Sequence, residues 1–182
     1  MRFRQAYPHD PILVPRPDLP FVGGRMQYQL LNEYRQITGH GRALIVPAGY
    51  ITDGASIPRF AWSLVGGPMS RPYLYAALPH DFRYEVLGHP ETIDYLSDPQ
   101  PAFIEALLAP GWRNRFVELI ERERVHAVDR ASVDADFRAG IAVTRETWLK
   151  SQIMWRAVRI GGGGAWRGDV DRQRTQALIH DD

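Results

Sequence analysis

The spacing of apolar positions changes period along the chain. Met26, Tyr28 and Leu30 alternate with Gln27 and Gln29, the period of a half-buried strand. The segment runs on through Tyr34 and Ile37 to the turn residues Gly39-His40-Gly41. Ala43-Leu44-Ile45-Val46 reads as a returning strand, and Tyr50-Ile51-Thr52 as a further short one after Pro47-Ala48-Gly49. These predict a small antiparallel hairpin or three-stranded sheet. From Ser56 the spacing turns helical. Ser56 is an N-cap residue with Pro58 in the first turn, for a short helix through Leu64 that stops at Gly66-Gly67-Pro68. Ser70 and Pro72 repeat the device for a helix running toward Tyr84, with a kink or break expected at Pro79. Residues 85 to 100 read as a loop. Phe103, Leu107 and Leu108 predict one short helix, and Trp112, Phe116, Leu119 and Ile120 a second. Asp129 or Ser132 can cap a helix through Thr144, and Leu149, Ile153, Ala157 and Ile160 form a helical stripe that ends at Gly161 to Gly164.

The expected fold class is therefore α+β, a small antiparallel sheet near the N-terminus packed against a helical layer. Residues 1–24 stand apart. Pro8, Pro11, Pro15, Pro17 and Pro20 forbid a continuous helix there and deny amides to a sheet. This stretch reads as an extended arm, laid over its own domain or clipped onto a neighbouring subunit. Residues 25–164 form one domain, with 85–128 as an insertion, and 165–182 a flexible polar tail.

Composition narrows the setting. The chain has 182 residues, 45% of them hydrophobic, enough for one buried core. A net charge of +1 gives no overall pull toward nucleic acid or a membrane surface. There is no cysteine, so disulfides and thiolate metal sites are excluded. No apolar run approaches the ~20 residues of a membrane span, and the N-terminus lacks the apolar stretch of a signal peptide. Aromatic and basic residues interleave from Trp148 to Arg174, a pattern that can stack bases and neutralise phosphates. A helix with its aromatics packed inward explains it more simply, so nucleic-acid binding is not expected.

Three polar signatures carry the candidate chemistry: Thr52-Asp53-Gly54-Ala55-Ser56, then His80-Asp81 with Tyr84, then Ala135-Asp136 beside Phe137. Each places a short acidic or imidazole side chain at the edge of an apolar segment. Asp53, His80, Asp81 and Asp136 could surround one pocket. With His80 as general base and the carboxylates as orienters, such a set could act as a catalytic centre. His80, Asp81 and Asp53 could alternatively hold a divalent metal such as Mg, Mn or Zn. Each signature also has an ordinary structural use. Asp53 could accept backbone amides in its turn, and His80 could be a buried histidine satisfied by one carboxylate. No His-Glu-x-x-His helix, Gly-x-Ser-x-Gly elbow or phosphate-binding glycine loop accompanies them.

The run Val46-Pro47-Ala48-Gly49-Tyr50-Ile51-Thr52-Asp53-Gly54-Ala55-Ser56-Ile57-Pro58 resembles the leading signature of a small domain-of-unknown-function family of tailed phages and prophages. In that family a His-Asp helix with a nearby Tyr follows, then an Ala-Asp-x-x-Phe-like helix, then a helix ending in Val-Arg-x-Gly and an aromatic-Arg pair. The matching segments here are Ala76 through Tyr84, Ala135-Asp136 onward, and Trp155 to Gly161 with Trp166-Arg167. Pro79 stands where the family has an aliphatic residue. The resemblance implies phage origin without bringing an established activity. The expectation is thus a virion-associated structural component of the tail or head-tail connection, made in the bacterial host cytoplasm. Its partners would be other phage structural proteins, reached through the N-terminal arm. The alternative is a small, metal-dependent hydrolase acting on peptidoglycan or a phosphoester.

Overall fold

The structure, a computed structural model, describes residues 8–38, 41–55, 67, 69–88, 99–126, 129–143, 149–150 and 152–156. The expected helix from Ser56 to Leu64, the tail 165–182 and the end of the last helical stripe lie outside these residues.

Strands β1 (Leu13–Pro15), β2 (Tyr28–Leu30) and β5 (Ile51–Thr52) form an antiparallel sheet in the order β1-β2-β5, while β3 (Tyr34–Ile37) and β4 (Ala43–Val46) form a separate hairpin. The continuous strand expected from Met26 to Ile37 is therefore divided between two sheets. The expected arm is also partly sheet: Leu13 to Pro15 pair with Leu30 to Tyr28. Pro15 can sit there because β1 is an edge strand, where a missing amide costs no ladder bond. Further contacts hold this stretch to its own domain. Arg16, only 3% exposed, donates to Gln29 and, over 2.9 Å, to Gln100, and Asp10 accepts from Arg71 and Tyr75.

Helices α1 (Arg71–Gly88), α2 (Ala102–Glu105), α3 (Trp112–Val125) and α4 (Arg130–Val143) follow, and residues 149–150 and 152–156 are helical as well. The two short elements expected around Phe103 and Trp112 are α2 and α3, and the strands before them complete the α+β architecture. Asp129 caps α4 as expected, its Oδ1 accepting the Ser132 amide at 2.7 Å.

α1 overturns two expectations. It runs unbroken through Pro79, and it continues to Gly88 where a loop was expected from residue 85. Packing supplies the reason. Leu74, Leu78, Phe82 and Val86, spaced by four, enter a core with Leu30, Tyr34, Val46 and Tyr50 of the sheet region and Trp112 and Phe116 of α3. Burying side chains of this size contributes about 1.5–3 kcal/mol each, so Leu78 and Phe82 alone offset the ~3 kcal/mol of an interior proline. The opposite stripe of α1 is buried as well: Tyr73, Ala76 and Ala77 pack with Ala55, with Phe137 and Ile141 of α4, and with Met154. A helix covered on both sides needs no polar face.

The turn before β5 shows how closely the sheet and helices fit. Gly49 has φ +91°, and a Cβ there would lie 2.3 Å from the Trp112 ring. Gly23 also has positive φ, +56°, but a Cβ there would meet nothing within 4 Å. Gly49→Ala should combine left-handed strain with overpacking and lower stability by about 2–5 kcal/mol. Gly23→Ala should cost only the strain, about 1–2 kcal/mol. Urea denaturation of the two variants checks the difference, and equal losses would contradict this account of the Gly49–Trp112 contact.

Candidate functional site

Tyr73, Ala77, His80 and Tyr84 follow one another at intervals of four, three and four, so they form one stripe of α1. Its first half is apolar and meets Phe137 and Ile141 of α4. Its second half brings His80 and Tyr84 against the start of α4, where Arg130 and Asp134 occupy one face four residues apart.

His80 is enclosed on all sides. Its Nδ1 lies 2.9 Å from Oδ1 of Asp81 and its Nε2 lies 3.0 Å from Oδ1 of Asp134. The Tyr84 and Phe137 rings pack against it, tilted by 35° and 46°, with centroids 4.2 and 4.8 Å away. Asp134 has no exposed surface and also accepts a hydrogen bond from the Tyr84 hydroxyl. Arg130 Nε donates to that hydroxyl at 3.0 Å and stands 3.8 Å from Asp134 Oδ2. An imidazole flanked by two carboxylates is best matched as an imidazolium, which donates from both nitrogens. Burial alone would lower the His80 pKa, but the hydrogen bonds and charges of Asp134 and Asp81 outweigh it and raise the pKa above its ordinary value. Burial and the bond to Asp134 likewise push the Tyr84 hydroxyl well above its usual range, so it remains a donor.

The sequence candidates fall into three groups. His80 and Asp81 meet directly, without the helix break that Pro79 was expected to supply. Asp136 belongs to a second cluster. It accepts from Arg83 Nη1 at 2.9 Å, Arg83 Nε lies 3.5 Å from Glu123 of α3, and Arg42 donates to that same Glu123 oxygen at 2.7 Å. Asp53 is buried and pairs with Arg25 at 2.6 Å, while Thr52 Oγ1 accepts the Gly54 amide at 3.0 Å. Through Arg25, Asp53 is tied to the turn at Val22–Arg25. Both His80 nitrogens are taken, so neither Asp53 nor Asp136 is its partner. Among the described residues no group of three or more histidine or acidic side chains is placed to hold a metal ion.

Asp134 is the residue missed in the sequence, and the signal for it was present. Asp134 stands three positions before Phe137, whereas Asp136 is adjacent to it. Residues three apart on a helix share a face, and neighbours diverge by about 100°. The Asp-x-x-Phe spacing therefore selects Asp134, and the same rule brings in Arg130 one turn earlier.

Fold and site together define a small α+β protein organised around a buried carboxylate–imidazole–carboxylate bridge. Residues 28–158 match the family described as "Protein of unknown function (DUF1353)", and the chain belongs to that family. Over 58 residues it is 38% identical to "Uncharacterized protein y4jT" of Sinorhizobium fredii, a match covering 32% of this chain and 17% of that protein. The chain thus spans about a sixth of that relative's length. No solved structure matches it. Among the described residues no helix is long and apolar enough to cross a membrane.

Removing Asp134 leaves a buried imidazolium with one partner gone, so Asp134→Ala should cost about 3–5 kcal/mol. Asp136→Ala should cost about 1 kcal/mol, because its side chain is 28% exposed and Arg83 keeps Glu123. Urea denaturation ranks the two, and a larger loss for Asp136→Ala would overturn the assignment of Asp134 as the central acid.

Proposed function

We propose that this protein is a phage-encoded, virion-associated structural component, of the tail or the head-tail connection, and that the His80 centre braces its fold. One observation carries the bracing role: both ring nitrogens of His80 are occupied by carboxylates, and the inner one, Asp134, is fully buried. A general base needs a free lone pair within reach of its substrate. His80 instead spends both nitrogens inside the protein, as expected of a satisfied buried network.

The virion assignment draws on the resemblance of the Thr52-Asp53-Gly54-Ala55-Ser56 run, and of the helices after it, to the phage and prophage family. The N-terminal stretch supports it. Ile12 and Phe21 expose apolar side chains at either end of β1 and its connection, where a neighbouring virion protein could cover them. On this view the protein is made in the host cytoplasm and taken into particles through contacts of its N-terminal residues. A hydrolase built on the same centre would use Asp81, whose side chain is 23% exposed, as the group open to substrate.

Particles purified from a lysate of the encoding phage should contain this chain by mass spectrometry, at a fixed ratio to tail or connector proteins. Its absence from washed particles would sink the virion assignment. In the same phage, His80→Ala should lower infectivity only as far as it lowers the melting temperature of the purified chain. A variant with wild-type stability that abolishes infection or lysis would instead favour the hydrolase.

A further inference from the structure

We propose that the α1–α4 seam is a proton-dependent clamp, closed while His80 is an imidazolium and weakened when it becomes a neutral imidazole. The inference rests on the bracing role assigned to His80 and adds a condition under which that brace lets go.

Donor and acceptor counting carries it. A neutral imidazole has one N–H and one lone pair, and an imidazolium has two N–H groups. His80 places both nitrogens at hydrogen-bond distance from carboxylate oxygens, 2.9 Å to Asp81 and 3.0 Å to Asp134. Loss of one proton therefore turns one contact into lone pair against lone pair. The bond most needed for the seam is the one to Asp134, since Asp81 lies on the same helix as His80 while Asp134 lies across it on α4.

The surrounding groups fix the sign. From α1 come Asp81 and Tyr84, with Arg83 next along the helix and paired to Asp136 and Glu123. From α4 come Asp134, Arg130 and the ring of Phe137. The loop after β5 adds Ala55 to the adjoining cluster, and its Asp53 is engaged by Arg25. With His80 protonated, His80 and Arg130 balance Asp81 and Asp134. Deprotonation leaves two carboxylates and one guanidinium, so the seam acquires an uncompensated negative charge. A histidine whose folded-state pKa is raised contributes stability that is fully present below its unfolded value and lost as pH rises through the folded one. Each unit between the two multiplies the folding constant by ten. The Tyr84 and Phe137 rings packed against His80 act in the same direction, since they attract a cation more than a neutral ring.

The unfolding midpoint in urea, followed from about pH 6 to about pH 9, should fall for the wild-type chain and stay nearly level for His80→Gln. Nitrogen NMR of the unaltered, histidine-labelled protein gives an independent reading. At about pH 7.5 one histidine should keep both ring nitrogens protonated, where an ordinary histidine is neutral. Amide exchange along α4 should quicken with pH beyond its intrinsic increase as that signature fades. A single N–H on His80 at that pH would overturn the clamp, even if His80→Gln fails to fold. Parallel pH curves for wild type and His80→Gln would also overturn it. Asp134→Ala separates the two ideas. If it costs no stability at any pH the brace itself is wrong, and if it costs the same at every pH only the clamp is.

Discussion

Everything in this molecule is arranged around a helix packed between two cores, with every side chain from Tyr73 to Leu87 at least partly buried. α1 gives Leu74, Leu78, Phe82 and Val86 to the sheet and α3, and Tyr73, Ala76 and Ala77 to α4. Such a helix gains stability from two cores at once, which is why it tolerates a proline at its centre. The same enclosure imposes a constraint. Any charged group that α1 carries into its C-terminal half must find its counter-charge inside the protein. Desolvating one ion costs several kcal/mol, and only a partner with good geometry returns it.

The two ionic clusters answer that constraint in parallel ways. His80 and Arg130 face Asp81 and Asp134, and Arg83 and Arg42 face Glu123 and Asp136. Each set is neutral when its members are ionised. Apolar residues of similar volume could hold these helices as well or better. What the polar residues add is selectivity of register: a shift of α4 by one residue would turn Asp134 away from His80 and leave a charge buried on each side. Leucines and alanines would forgive such a slip far more readily.

Much of this was legible in the sequence. The returning strand at Ala43–Val46, the cap at Asp129 and the buried stripe of α3 follow from local periodicity and end chemistry, whereas β2 buries Gln29 and leaves Tyr28 partly exposed, and Phe103 and Leu107 around α2 are exposed. What was not legible depended on distant partners. Pro79 signals a break by every local rule, and only burial of Leu78 and Phe82 against residues far away in sequence overrides it. The proline-rich stretch reads as excluded from the sheet, yet three of its residues form an edge strand because β2 offers a partner there. At the site, His80 and Asp81 were found from their own pattern. Adjacency to Phe137 points to Asp136, whereas helical spacing points to Asp134, the acid that meets His80. The partner of Asp53, Arg25, sits on a glycine turn that carries no acidic or imidazole signal of its own.

The attachment of Arg83 to both α3 and α4 has an evolutionary consequence. Among the described residues one guanidinium faces both Glu123 and Asp136. Arg83 and Glu123 are buried, so replacing either singly disturbs the charge balance inside the protein, whereas Asp136, 28% exposed, can be lost at small cost. Positions 83 and 123, far apart in the chain, should therefore change together across lineages, while position 136 drifts more freely.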